Sequence, residues 1–321
     1  SYEDFFSRLS FIISPKHRMT FTLVSGKDSI LEERTYYGFN NILESDTAYI
    51  REKNTFKNFG QSLNFYSQWN NKYRTHFSIS NYSYENKYFS KQISPYENNN
   101  SIIGTANRFH DLSDRSIRFV QHYQNKQNHN LSIGFEENYY LLNFKNKNTE
   151  SVSLDSSEMV QDGYLYSFFI RDFWRKENKW EFDTGLRFSY FQNLDKFYFE
   201  PRIAIIYKIN QQLSFELSYG IHNQFIHRID KENNARLNDN RWFLSSDKIP
   251  TILSNNYHSG LNWDNNNYSF STIFYLKALK EFFQFDHSFT PQEYYSSYGK
   301  ITNSGDGISQ GLEIQLRRKT G

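Results

Sequence analysis

Leu213-Ser214-Phe215-Glu216-Leu217-Ser218-Tyr219-Gly220-Ile221-His222 is the stretch that decides the fold. Leu213, Phe215, Leu217, Tyr219 and Ile221 alternate with Ser214, Glu216, Ser218, Gly220 and His222. On a helix those five apolar side chains would scatter around the cylinder. On a strand they share one face, because successive side chains point to opposite sides. The same period governs the preceding stretches. Phe197, Phe199, Ile203, Ile205, Tyr207 and Ile209 alternate with mostly polar neighbours, as do Trp180, Phe182, Leu186, Phe188 and Tyr190. Near the end of the sequence Leu312, Ile314 and Leu316 alternate with Glu313, Gln315 and Arg317.

Extended along the chain, alternation against turn residues predicts about thirteen strands of roughly 10–16 residues. They span 4–14, 18–27, 55–69, 73–86, 114–125, 130–145, 163–175, 179–192, 196–208, 212–226, 252–263, 267–282 and 307–319. Strands of soluble proteins average about 5–6 residues, whereas crossing a bilayer takes about 9–11 tilted ones. The connections alternate between tight and long. Asn70-Asn71-Lys72, Lys176-Glu177-Asn178 and Asn210-Gln211 are tight; 28–54, 87–113, 146–162, 227–251 and 283–306 are predicted as long loops, with a short link near Leu194 as the exception. Short turns on one side and long loops on the other is the outer-membrane arrangement, turns periplasmic and loops extracellular. Pro15, Pro95, Pro250 and Pro291 are expected in turns or loops. Pro201 falls within a strand, where its missing N–H predicts a bulge or an irregular upper end.

Composition points the same way. Only 37% of the 321 residues are hydrophobic, yet 19% are Phe, Trp or Tyr. That wealth of rings excludes a disordered chain. A barrel wall needs one apolar face per strand and gathers rings at both membrane interfaces, which fits a ring-rich, aliphatic-poor sequence. With no cysteine there is no disulfide framework or thiolate metal site. A formal charge of +2 gives no nucleic-acid footprint. No signal peptide opens the sequence at Ser1, and an odd strand number does not close a regular bacterial barrel. The expectation is therefore a partial barrel whose first and last strands lie apart as two edges.

The chain resembles the TonB-dependent outer-membrane receptors. Phe169-Ile170-Arg171-Asp172-Phe173-Trp174 followed by Gly185-Leu186-Arg187 looks like that family's Asp-x-Trp, polar turn, Gly-Leu-Arg hairpin. Glu200-Pro201-Arg202 through Ser218-Tyr219-Gly220 is similar to its next hairpin, and Gly311-Leu312-Glu313 with Leu316-Arg317-Arg318 to a later strand and turn. The resemblance implies an all-β, antiparallel transmembrane β-barrel over 1–321, holding about 13 of the family's roughly 22 strands. The plug domain and TonB box would lie outside it. It further implies a bacterial outer-membrane receptor that takes up a scarce nutrient: a siderophore, haem, vitamin, metal chelate, peptide or glycan. The implied partners are outer-membrane lipid, the TonB complex, the receptor's own plug, the ligand and a surface lipoprotein. Two alternatives remain at this point: a soluble or surface-exposed β-protein binding glycans, and a porin-like barrel without TonB.

Residue chemistry adds little that is catalytic. Gly307-Ile308-Ser309-Gln310-Gly311 fits the G-x-S-x-G nucleophile elbow in letters, but that elbow needs a helix after it and a strand is predicted there. The nine histidines show no metal-ligand spacing. No enzyme activity, catalytic residue, metal site or cofactor is therefore assigned. Aromatic residues in the long loops are the candidate ligand contacts: Trp242, Phe243, Tyr294, Tyr295 and Tyr298, whose rings could stack on a sugar or a flat chelate. The opposing reading is that they pack the loops together. Glu181, Asp183, Arg187, Arg202, Lys208, Glu216, Glu313 and Arg317 are expected to line a wet lumen.

Overall fold

The structure, a computed structural model, describes residues 1–37, 47–96, 99–125, 128–150, 154–231, 239–285 and 302–319. These hold the strands β1 (Tyr2–Ser14), β2 (His17–Tyr37), β3 (Thr47–Gln68), β4 (Tyr73–Tyr96), β5 (Asn99–Gln124), β6 (His129–Glu150), β7 (Leu154–Lys176), β8 (Trp180–Phe191), β9 (Lys196–Lys208), β10 (Leu213–Gln224), β11 (Ile226–Lys231), β12 (Asp239–Leu244), β13 (Ile252–Asp264), β14 (Tyr268–Phe285) and β15 (Thr302–Arg318). Thirteen form one antiparallel sheet in chain order, with β13 following β10 directly; β11 and β12 make a separate two-stranded hairpin. β1 and β15 are the two edges and do not pair with each other. No helix among the described residues is long and apolar enough to cross a membrane, which says nothing of crossing by strands.

The register shows why the sheet is two-faced. Phe11, Met19, Phe65, Phe77, Phe119, Phe135, Phe168, Phe188 and Phe199 are successive partners across β1 to β9. One residue along, Ser10, Thr20, Asn64, Ser78, Arg118, Glu136, Ser167, Ser189 and Tyr198 form the next row. Because side chains alternate, the first row lies on one face and the second on the other. The phenylalanines are not covered: Phe168 is 47% exposed and Phe199 53%. A contiguous uncovered apolar band of this extent is stable only against lipid or another apolar surface.

Aromatic pairs border that band. Near the tight turns lie Tyr73–Tyr123 (5.0 Å), Trp174–Phe182 (5.2 Å) and Trp180–Tyr207 (4.4 Å). Toward the other end lie Tyr139–Tyr164 (4.7 Å) and Tyr190–Phe197 (4.9 Å). On β7, Trp174 and Tyr164 belong to the two borders. Ten residues separate them, about 34 Å along a strand and about 26 Å in height at a tilt near 40°, close to the ~25 Å apolar band of outer-membrane barrels.

The tight turns are held by their asparagines. Asn70 Oδ1 accepts the N–H groups of Lys72 and Tyr73 at 2.8 and 3.0 Å. Asn210 does the same for Gln212 and Leu213, and Asn265 for Asn267 and Tyr268. This is the Asx-turn chemistry that makes asparagine a turn residue. The short link near Leu194 is a single 3-10 turn, Gln192–Leu194, ended by Asp195 at φ 49.

Three of the predicted long loops are corrected. Most of 28–54, 87–113 and 146–162 continues as paired strand, with 38–46, 97–98 and 151–153 outside the described residues. The alternation disappears there because both faces are polar once the strand leaves the apolar band, while backbone pairing continues. Pro95 accordingly sits within β4 rather than in a loop. Pro201 makes no bulge. It pairs in register with Leu186, and the β9–β10 ladder stops at Arg202–Gly220 just before it. Beyond that point the Glu200 carboxylate accepts the Asn223 N–H at 2.6 Å in place of a ladder bond.

Candidate functional site

The polar face of the sheet carries the charges expected to line a lumen, joined in pairs across strands. Glu181 accepts from Lys208 Nζ at 2.7 Å and lies 3.4 Å from Arg175. Asp183 receives both the Nε and an Nη of Arg171. Arg187 is shared between Glu136 (3.5 Å) and Glu200 (3.7 Å) and donates to Ser167 Oγ at 2.8 Å. Glu200 is 4% exposed, so its charge depends on Arg187 and the Asn223 donors. Glu216 accepts from Asn262 Nδ2 at 3.3 Å and lies over Gly260, where a Cβ would come within 2.9 Å of its carboxylate.

The other feature of this face is an apolar cluster that alternation does not anticipate. Leu112, Tyr140, Leu142, Leu165 and Phe191 project from β5 to β8, and Phe225 and Leu244 pack onto them from the β11–β12 segment. The hairpin thus reaches from its origin between β10 and β13 to β5, β6 and β7, while β11 touches β14. Leu244 N donates to Gln161 Oε1 at 3.0 Å. The Phe225 ring lies 5.0 Å from Phe191 and 4.9 Å from Tyr198. Buried His227 bonds Ser245 Oγ through Nε2 at 2.7 Å and meets the Phe283 ring edge-on at 4.8 Å. Burial without a charged partner holds its imidazole down, to a pKa of about 4, so it is neutral at pH 7.

The candidate ligand contacts are placed as follows. Trp242 lies on β12, partly buried against the apolar cluster, 6.2 Å from the Tyr84 ring. Phe243, opposite His227 in the hairpin, is 2% exposed. Tyr294, Tyr295 and Tyr298 lie outside the described residues. Ser309 sits inside β15 opposite Lys277, with strand on both sides of it and no elbow. His222 and His227 belong to different strands, and no group of three potential metal ligands occurs among the described residues.

Below the hairpin, a cavity of about 520 Å³ opens on the polar face, lined by Arg118, Arg171, Arg187, Arg202, His222 and His258 among others. A smaller one of about 320 Å³ shares Arg187, Arg202 and His222 with it and reaches up to Phe225 and Ile226. Together they carry four arginines and two histidines beside the carboxylates of Asp183 and Glu200.

No family model and no curated protein matches this sequence. Solved structures do match in fold. The ferric yersiniabactin uptake receptor FyuA from Yersinia pestis superposes with a TM-score of 0.61 at 8% identity, over 95% of this chain and 50% of that one. The fold is that of a siderophore-receptor barrel. The RagAB peptide importer matches at TM-score 0.60 and 11% identity, over 97% of this chain and 44% of its own. The siderophore receptor PirA from Pseudomonas aeruginosa matches at 0.50 and 10%, over 98% and 62%. This chain therefore spans 44% to 62% of the length of these siderophore-receptor and importer chains. The sequence resemblance to TonB-dependent receptors meets their barrel fold in the structure, as an open thirteen-stranded sheet.

Proposed function

We propose that this chain is barrel wall from a TonB-dependent receptor in the bacterial outer membrane, and that the whole protein captures a scarce nutrient and passes it to the periplasm. The observation that carries the reading is the paired rows: phenylalanine after phenylalanine on the outside, serine, threonine, asparagine and charge on the inside. A soluble glycan-binding β-protein has no use for the outer row. The unpaired N–H and C=O groups of β1 and β15 would cost several kcal/mol each in lipid, so further strands are proposed to complete the barrel. A plug domain would fill the lumen, and a TonB box and TonB complex would supply the energy that the outer membrane lacks. Siderophore receptors and a peptide importer among the structural neighbours support uptake as the role. Ligand contact is proposed at the extracellular mouth through Trp242, Tyr294, Tyr295 and Tyr298, with a surface lipoprotein as a further partner; Phe243, 2% exposed, is assigned to packing instead.

The test is made on the full-length protein. It should fractionate with outer membranes, need detergent for extraction, and migrate faster unheated than boiled. Its deletion should impair growth on one limiting nutrient, and loss of TonB should have the same effect. Recovery as a soluble periplasmic protein would refute the reading.

A further inference from the structure

The tall strands β3 to β6 carry an outward patch that the band of phenylalanines does not explain. Their outward positions follow the register in rows of four. The row Gln61, Asn81, Arg115 and Tyr139 lies at the upper aromatic border. Below it, no outward position of these strands is a lysine. Three rows above it stand Thr55, Lys87, Phe109 and Lys145, and the row after that is Lys53, Phe89, Asn107 and Lys147. Those eight positions hold four lysines and no carboxylate. Neighbouring acids answer them only in part. Glu85 is shared between Lys57 at 3.2 Å and Lys87 at 3.1 Å, and Lys145 meets Glu158 at 2.6 Å. Lys53 and Lys147 make no ion pair or side-chain hydrogen bond among the described residues. All four lysines line one open cavity of about 460 Å³, together with Phe89 and Phe109. Lys87 Nζ stands over the Phe109 ring at 5.4 Å, and Phe89 is exposed. β3 to β6 are interior to the sheet. Strands added beyond β1 or β15 extend the wall sideways, and a plug fills the opposite face, so neither covers this patch.

We propose that the patch seats the phosphorylated sugar headgroup of an outer-leaflet glycolipid. The inference rests on the phenylalanine face being the one that meets lipid. Charge selects phosphate: the lysine ammonium is a compact point charge with three donors, and clustered lysines beside a membrane recognise anionic headgroups. Height selects the glycolipid. On β6, Lys145 and Lys147 lie six and eight residues beyond Tyr139, about 16 and 21 Å higher at a tilt near 40°. A phospholipid headgroup layer is only about 5–8 Å thick, so its phosphates lie below these lysines. A sugar headgroup carries phosphate up to them. Lys87 and Lys145 stand two strand spacings apart, about 10 Å, and Lys53 and Lys147 three, about 14 Å. That spread suits one headgroup held through more than one phosphate, with the rings of Phe89 and Phe109 against its sugars.

The experiment uses the full-length receptor, stripped of lipid in detergent, with rough lipopolysaccharide carrying lipid A and inner-core phosphates as probe. Native mass spectrometry reads the glycolipid retained. Wild type should hold one molecule at collision energies that remove dioleoyl phosphatidylglycerol. Dephosphorylating the probe should cut retention at least fivefold. The double variants Lys53→Gln with Lys147→Gln, and Lys87→Gln with Lys145→Gln, should each do the same. So should Asn107→Glu, which leaves every lysine in place. Lys16→Gln, in the turn between β1 and β2, should change nothing. Each variant is first required to keep the unheated gel shift. Equal retention by wild type and both double variants overturns the proposal and leaves the patch to a protein partner. Retention indifferent to the probe's phosphates overturns it as well. Fractionation and the gel shift test the membrane reading separately, so a receptor that passes them and ignores the glycolipid refutes this inference alone.

Discussion

Leu217→Arg and Glu216→Arg put the same charge at neighbouring positions of β10 and should differ sharply in cost. Leu217 is 46% exposed on the apolar face, between Ile205 and Ser259 in register. It lies midway between Leu213 at the tight turn and Ile221 at the top of the alternation, which places it near the bilayer midplane. Arginine there costs about 2–4 kcal/mol in an outer-membrane barrel. Glu216 faces the polar side, and its replacement removes one long hydrogen bond to Asn262, about 1 kcal/mol or less. The expected gap of about 2 kcal/mol is roughly a thirtyfold difference in the folded-to-unfolded ratio. Full-length protein refolded into liposomes across a urea series, scored by the gel shift, measures it. Because the chain has no cysteine, single spin-labelled cysteines from 215 to 219 can check the geometry directly. Oxygen accessibility should peak at 215, 217 and 219, and that of a polar nickel chelate at 216 and 218. Equal losses for the two arginine variants, or accessibility without a period of two, would refute the reasoning.

The hairpin yields a pH prediction. His227 has a folded pKa depressed below its ordinary 6.5, so docking is fully supported above that value and weakens as pH falls toward 4; from pH 7 to pH 5 the loss is about 2 kcal/mol. Hydrogen exchange in 226–231 and 239–244 should accelerate over that interval, and His227→Leu should remove the pH dependence. Leu244→Ala should leave the gel shift intact but make the hairpin protease-sensitive, since emptying a leucine-sized site in the apolar cluster costs about 2–5 kcal/mol locally. Gly134→Val should reduce the folded yield, because a Cβ there would lie 2.2 Å from the Phe169 ring, and Phe169→Ala should restore part of it.

The strands were legible wherever one face meets an apolar surface and the other is polar. β8, β9 and β10 run within a residue or two of the spans predicted for them. β4 and β5 were predicted short, because residues such as Lys87, Asn107 and Lys147 carry polar groups outward while still paired. The lumen charges were legible as a face but not as pairs: Arg187 between Glu136 and Glu200 joins three strands through register, which no local pattern specifies. Nor could spacing bring Arg118 and Arg202, 84 positions apart, to one chamber.

The hairpin's docking surface left a trace that alternation alone misreads. Tyr139-Tyr140-Leu141-Leu142 in β6 is apolar on both faces, as is Tyr164-Leu165-Tyr166 in β7. In a barrel wall with a wet lumen, an inward Leu142 or Leu165 is costly unless something apolar covers it. Leu142 is 2% exposed and Leu165 6%, and the cover is Leu244 and Phe225. A break in alternation toward the upper end of a transmembrane strand therefore signals an apolar segment folded inside the mouth. Here the connection between β10 and β13 offers one, Arg241-Trp242-Phe243-Leu244 on β12, whose last residue does the covering. The aromatic residues that first suggest ligand stacking are in part the means by which the loop is held down.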